Sequence, residues 1–231
     1  MKTILITGTN RGLGLEFVKQ LCAQEVQIIA TCRTPSEAHK LNQLINDHNN
    51  LLIKKLDVTD DNSIQSLVSE LHDTPIDWLI NNAGINGDHR IIPGNIERDN
   101  FMNVFNVNCL GTLKISDSLL PNLYLGEDKL IVCISSLMSS ITENQQGRSY
   151  AYRASKAALN CAMRSFALDV LVNDIKVMLL SPGWVKTRIG GPDANLDVQT
   201  SVTGMLHVIH EFKSNSHGEV LRNYDGMEIN W

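Results

Sequence analysis

The stretch GRSYAYRASKAALN, residues 147–160, combines two tyrosines, one lysine and an alanine-rich run that favours helix. A phenol beside an ammonium suggests proton transfer. An ordinary phenol titrates near pH 10, and moving it to about 7 takes roughly 4 kcal/mol of differential interaction. A nearby ammonium supplies part of that by favouring the phenolate. Spacing selects the tyrosine. Tyr152 and Lys156 are four apart and share one helix face. Tyr150 and Lys156 are six apart, so their side chains point about 120° from each other. Tyr152 is therefore the expected proton carrier, and Tyr150 a packing or pocket-wall residue. A YxxxK pair is common by chance, so its weight depends on the elements that would position it.

Those elements are legible as a repeating pattern. Short apolar runs at 3–7, 26–32, 51–58, 77–82, 129–135 and 175–181 read as strands, with a weaker one near 219–223. Between them lie segments of helical period, such as Gly14, Phe17, Val18, Leu21 and Cys22 at spacings of three and four. Strands that are nearly continuous apolar runs are buried on both faces, and their alternation with helices implies a parallel sheet covered on both sides. The expected fold is α/β, a single doubly wound parallel sheet of about seven strands, spanning residues 1–231 as one domain. Between the first strand and first helix stands TGTNRGLG, Thr7 to Gly14. Glycines there permit positive φ and close backbone approach to a pyrophosphate, which a helix N-terminus attracts. No Gly-Lys-Ser/Thr follows, which argues against a P-loop.

Composition excludes other classes. A net charge of -5 without a basic block gives no footprint for nucleic acid or anionic membrane. Only four apolar residues precede the first glycine turn's threonine, too few for a signal peptide or a membrane span. Five scattered cysteines, without a CxxC, read as reduced thiols of a cytoplasmic protein. His207 and His210 could share a helix face, but the histidines form no HExxH and no metal is expected.

Taken together, these motifs resemble the short-chain dehydrogenase/reductase family over essentially the whole chain. Gly8, Gly12 and Gly14 match its TGxxxGxG, and the resemblance implies that Asn10, Arg11 and Leu13 in the same turn also meet the cofactor. NNAG follows the fourth strand and implies contacts from Asn82, Ala83 and Gly84 beside the adenosine ribose. Asp57 and Val58 match the positions bordering the adenine. SPGWVKT implies that Pro182, Gly183, Val185 and Thr187 meet the nicotinamide amide. The family's YxxxK falls on Tyr152 and Lys156, and implies that the lysine also holds the nicotinamide ribose. Its serine falls on Ser136 in CISSLMSS, with Ser139 and Ser140 as rival claimants. Its NxxG asparagine falls on Asn108 in FNVNCLG, with Asn106 as a decoy; the role implied is to bend its helix and hold a water in a proton relay. Within the family, YAYRASKAALN and the NYDGMEINW segment are most similar to carbonyl reductases related to sniffer and to bacterial C-factor proteins.

The resemblance implies an NADP(H)-dependent oxidoreductase acting on a small or medium carbonyl or alcohol substrate. The alternatives are a non-catalytic dinucleotide-binding regulator of C-factor type and a biosynthetic reductase of acyl carriers or pterins. A regulator would not need Ser136, Tyr152 and Lys156 together. Cofactor choice has its own signal. An NAD site places an acid at the end of the second strand, yet here that position is Cys32, followed by Arg33. Arg33 and Arg11 could bind a 2′-phosphate by paired, charge-assisted hydrogen bonds. Apolar residues on more than one face of the helices near 98–120 and 150–172 further imply a homodimer or homotetramer. RIGGPDANLDVQT, residues 188–200, suits a mobile lid more than a helix.

Overall fold

Every strand of the interior alternates between two cores, which explains why the apolar runs are unbroken. In β1, Lys2–Thr7, the side chains of Ile4 and Ile6 enter one core and that of Leu5 the other. The computed structural model describes residues 1–88, 90–212 and 220–231. The chain continues through α1 (Gly12–Cys22), β2 (Val26–Cys32), α2 (His39–Ile45), β3 (Leu51–Lys55), α3 (Asp61–Leu71) and β4 (Trp78–Asn81). It then forms α4 (Arg98–Phe105), a wide π turn over Asn106–Leu110, α5 (Gly111–Ser118), α6 (Leu120–Leu125) and β5 (Leu130–Ile134). The remainder is α7 (Tyr150–Val170), β6 (Lys176–Ser181), α8 (Val198–Glu211), β7 (Leu221–Asn223) and β8 (Glu228–Ile229).

These strands form one sheet in the order β3-β2-β1-β4-β5-β6-β7-β8. All neighbours are parallel except β7 and β8. Helices α1, α2 and α8 cover one face through Phe17, Leu21, Leu41, Val202 and Met205. Helices α3, α5, α6 and α7 cover the other through Ile64, Leu67, Ile115, Leu123, Leu159 and Met163. The amphipathic stripe expected for α1 is the one observed, since Gly14, Phe17, Val18, Leu21 and Cys22 are all buried. The doubly wound sheet expected from the sequence is present. Its eighth strand escaped the sequence reading because two residues cannot show a period of two. A turn with Gly226 at φ +85 reverses the chain there, closed by Asn223 N–H to Met227 O at 2.7 Å. Of the expected final strand, Glu219 lies outside the described residues.

The strand order reverses between β1 and β4, and the crevice at such a switch point is where an open α/β sheet binds ligands. The segments after β1, β4, β5 and β6 therefore meet above one edge of the sheet. The expected lid at 188–200 is only partly irregular. Val198, Gln199 and Thr200 open α8, because Asp197 caps that helix by accepting from Thr200 N–H at 2.7 Å. Among the described residues no helix is long and apolar enough to cross a membrane.

Candidate active site

The glycine turn is shaped by the loop that follows β4. Thr7 Oγ1 accepts from the N–H groups of Asn82 and Ala83, each at 3.0 Å. The Asn82 amide returns two bonds, to Thr7 O at 2.8 Å and Gly8 O at 3.0 Å. The Asn82 side-chain amide thus builds the turn. Glycine is required at two positions for reasons of space. A Cβ on Gly8, at φ +69, would lie 2.9 Å from Ala83 Cα; one on Gly14 would lie 2.4 Å from Gly8 O. Thr9 N–H to Thr31 O, at 3.0 Å, pins the turn to the end of β2 and so brings Arg11 and Arg33 to the same corner. The cradle these residues form has the backbone shape and positive charge that a dinucleotide's phosphates require. Asn10 and the partly buried Leu13 belong to the same turn, Leu13 packing against the core under α1.

Along the buried face of α7, Ser155 and Lys156 lie three and four residues beyond Tyr152, Asn160 four beyond Lys156, and Met163 three beyond Asn160. Tyr152 is 8% exposed and Lys156 5%. The Ser136 hydroxyl, which accepts from Met138 N–H at 3.1 Å, stands near enough to the Tyr152 phenol to act on its pKa. The rival serines are committed elsewhere. Ser139 Oγ donates to Ser136 O at 2.6 Å and accepts from Asn160 Nδ2 at 2.8 Å. Ser140 Oγ accepts from Glu143 N–H at 3.1 Å. Burial holds the Tyr152 phenol above its ordinary value, with the Ser136 hydroxyl pulling the other way. Burial likewise lowers the Lys156 ammonium to about 8, opposed by the nearby Cys133 and Cys109 thiols. Lys156 Nζ donates to Ile134 O at 2.7 Å. In this arrangement burial governs the phenol, and the offset that the spacing argument assigned to the lysine does not dominate.

Asn108 is fully buried in the π turn between α4 and α5. Its Oδ1 accepts from Ile85 N–H at 2.8 Å, and its Nδ2 donates to Ile85 O at 2.9 Å and Ser155 Oγ at 3.0 Å. It therefore fastens the loop after β4 to α7. A Cβ on Gly84 would lie 3.3 Å from Asn108 Oδ1 and 3.8 Å from Lys156 Nζ, so Gly84 stands where the two groups converge. The wide turn begins at Asn106 itself, a mid-helix departure of the kind that often marks functional sites.

The outer residues are placed as follows. Asp57 Oδ1 accepts from Thr59 N–H and Thr59 Oγ1, at 2.9 and 2.7 Å, so its carboxylate shapes the loop after β3. Val58 borders Gly111, whose Cβ would come 2.8 Å from Val58 O. After β6, Pro182 O accepts from Ser201 Oγ at 2.7 Å, and Gly183 adopts φ +77. Val185 is buried and bridges to Leu196. Thr187 Oγ1 accepts from Gly190 N–H at 3.1 Å, and its own hydroxyl donates to Val185 O at 3.3 Å. Of the two histidines on α8, His210 packs edge-on against Trp78 and His207 pairs with Glu211.

Comparison with known proteins bears directly on this arrangement. The profile of the family described as short chain dehydrogenase matches residues 2–195. The chain belongs to that family. Among its relatives is the C-signal protein of Myxococcus xanthus, 40% identical over 157 residues, which are 68% of this chain and 93% of that protein. Among solved structures, the carbonyl reductase Sniffer of D. melanogaster is 33% identical, with a TM-score of 0.93 and all of both chains covered. An NADPH-bound carbonyl reductase from chicken fatty liver is 34% identical, with a TM-score of 0.92, covering 100% of this chain and 99% of that one.

In this short-chain dehydrogenase several positioning residues escaped the sequence reading. Asn160, one turn beyond Lys156, also accepts from Ser135 Oγ at 2.6 Å, so it removes two of the four serines from contention. Its i+4 relation to Lys156 was the available signal. Tyr224, in the turn between β7 and β8, fills the space beside Gly183, whose Cβ would lie 2.9 Å from the Tyr224 ring. The same residue abuts Gly204 of α8, where a Cβ would come 2.6 Å from Tyr224 O. Trp231 O accepts from Thr142 N–H and Thr142 Oγ1, at 3.1 and 2.6 Å, which ties down the loop between Ser136 and Tyr152. That loop ends with Gly147, Arg148 and Ser149 all at positive φ, a local cost that precedes the helix carrying Tyr152. No local pattern announces contacts of such long range.

Proposed function

We propose that the chain is an NADP(H)-dependent carbonyl reductase in which Tyr152 is the general acid and base. The observation that carries this reading is that Tyr152 and Lys156 share one buried face of α7 above the β1/β4 crevice, with Ser136 beside the Tyr152 phenol. Similarity to carbonyl reductases, one of them NADPH-bound, supports it. The residues present fit the dinucleotide: Gly8, Gly12 and Gly14 would hold its pyrophosphate, and Arg33 with Arg11 a 2′-phosphate. Asn10, Leu13, Asp57, Val58, Asn82, Ala83 and Gly84 would border its adenosine half, and Pro182, Gly183, Val185 and Thr187 its nicotinamide. When bound, it supplies the hydride.

The chain's own groups handle the proton. Tyr152 donates its phenolic proton to the carbonyl oxygen, and Ser136 hydrogen-bonds that oxygen and fixes its place. In the reverse direction Tyr152 takes the alcohol proton. Lys156, with a value of about 8, can hold or release a proton near neutral pH, and as an ammonium it favours the phenolate. Asn108 positions both through Ser155 and the loop at Ile85. A C-signal relative supports a second reading, a regulator that binds dinucleotide without turnover. We place the protein in the cytoplasm, as one domain over residues 1–231, a reading supported by five cysteines that form no disulfide. A panel of small and medium ketones and aldehydes with NADPH, followed by absorbance, separates the two readings. Carbonyl-dependent oxidation is expected; tight NADPH binding with no oxidation across the panel would favour the regulator.

A further inference from the structure

A third arginine stands at the phosphate cradle. Arg188 follows Thr187, whose Cγ2 lies 3.8 Å from where a Cβ on Gly12 would be. Arg11 precedes Gly12, so the segment after β6 crosses the mouth of the glycine turn with Arg188 and Arg11 flanking the crossing point. The two guanidiniums sense each other electrostatically. The Arg11 pKa is lowered by burial first, then by Arg188, then by Arg33. Arg11, Arg33 and Arg188 are all exposed, and among the described residues none of them has an ion-pair partner. Three like charges gathered from three segments without a carboxylate are costly unless an anion completes them.

The backbone holds Arg188 in place. Gly190 N–H donates to Thr187 Oγ1 at 3.1 Å, and Gly191 N–H to Thr187 O at 2.9 Å. Trp184 Nε1 donates to Gly190 O at 2.7 Å. Lys186 N–H to Leu196 O, at 2.8 Å, and Leu196 N–H to Trp184 O, at 3.1 Å, close the base of the loop. Arg188 thus projects from a small, internally bonded turn, which reduces the entropy lost when its guanidinium is fixed.

We propose that Arg188 binds the pyrophosphate of the dinucleotide and thereby straps the segment 186–196 across the glycine turn. The assignment rests on the dinucleotide-binding reading above. It separates Arg188 from Arg33 by task. Arg188 follows Thr187, which lies against Gly12 at the start of α1, where a pyrophosphate is expected. Arg33 lies at the end of β2, where the adenosine ribose is expected. A pyrophosphate contact serves NADH and NADPH alike, whereas a 2′-phosphate contact serves NADPH alone.

The test is isothermal calorimetry with NADPH and with NADH on the wild-type chain, Arg188→Ala, Arg188→Lys and Arg33→Ala. Arg188→Ala should weaken both dinucleotides by the same factor, about tenfold, the size of one charge-assisted hydrogen bond. Arg188→Lys should recover part of that loss, and Arg33→Ala should weaken NADPH only. Unchanged binding of both dinucleotides by Arg188→Ala overturns the proposal. Loss confined to NADPH overturns it too, by moving the contact to the 2′-phosphate. A wild-type chain that binds neither dinucleotide defeats the underlying functional reading, a result distinct from either of these.

Discussion

Replacing Lys156 by methionine should change how stability depends on pH. Lys156 is 5% exposed, and burial lowers it from 10.5 to about 8. Below pH 8 the ammonium is charged in both the folded and the unfolded chain, so the folded state carries the full desolvation cost. Between 8 and 10.5 the unfolded chain binds the proton while the folded chain has released it. Stability contributed by this residue must therefore rise with pH across that window. The full shift corresponds to about 3 kcal/mol, of which about 2 kcal/mol is recovered between about pH 7 and pH 9.5. Methionine keeps much of the volume but has no proton to exchange. It also leaves Ile134 O without its 2.7 Å donor, a cost that is the same at every pH. The measurement is urea unfolding of wild type and Lys156→Met at both pH values, without dinucleotide. The stability difference should move by about 2 kcal/mol in favour of wild type as pH rises. Curves that stay parallel would refute the reasoning, because a pH-independent difference means that burial does not depress this lysine.

Three further outcomes are expected. Gly14→Ala would put a Cβ 2.4 Å from Gly8 O and 2.5 Å from Asn82 Nδ2; it should cost about 1–3 kcal/mol in a denaturant melt and weaken NADPH binding at least about tenfold by calorimetry. Cys32→Asp with Arg33→Ala should shift preference toward NADH, read as the ratio of the two dissociation constants, since a carboxylate accepts from a 2′-hydroxyl and repels a 2′-phosphate. Light scattering at micromolar concentration should find a dimer or tetramer formed through α4, α5 and α7. Met102 and Leu110 on that side are 58% and 45% exposed, so Met102→Glu with Leu110→Glu should yield the monomer.

The sequence disclosed most about whatever is local. Unbroken apolar strands announced a sheet buried on both faces, and the positions 26–32 read as a strand coincide with β2. The i, i+4 rule chose Tyr152 over Tyr150, and the structure buries the first while leaving the second part-exposed at the start of α7. The glycines were legible as a turn, although the clashes that require them, Ala83 for Gly8 and Gly8 O for Gly14, come from tertiary approach. Choosing among the serines needed the fold, because it is Asn160 that engages Ser135 and Ser139. Arg188 was hidden for the same reason. Its neighbour Arg11 is far away in sequence, and the two meet only because the segments after β1 and β6 cross above one sheet edge. Likewise β8, the Tyr224 contact with Gly183 and the Thr142–Trp231 tie depend on a hairpin too short to carry a periodic signal.

Single-turnover oxidation of bound NADPH by the Tyr152→Phe variant shows whether Tyr152 supplies the proton. The variant keeps the ring that packs in the buried face of α7 and removes only the hydroxyl that stands near Ser136. With a carbonyl substrate that the wild type reduces, NADPH should bind within about threefold of wild type while the oxidation rate falls at least about a hundredfold, the usual scale of general acid catalysis. Tyr150→Phe, measured alongside, should keep most of the rate. A Tyr152→Phe rate within about tenfold of wild type at saturating NADPH would contradict the account, because the proton would then come from another group.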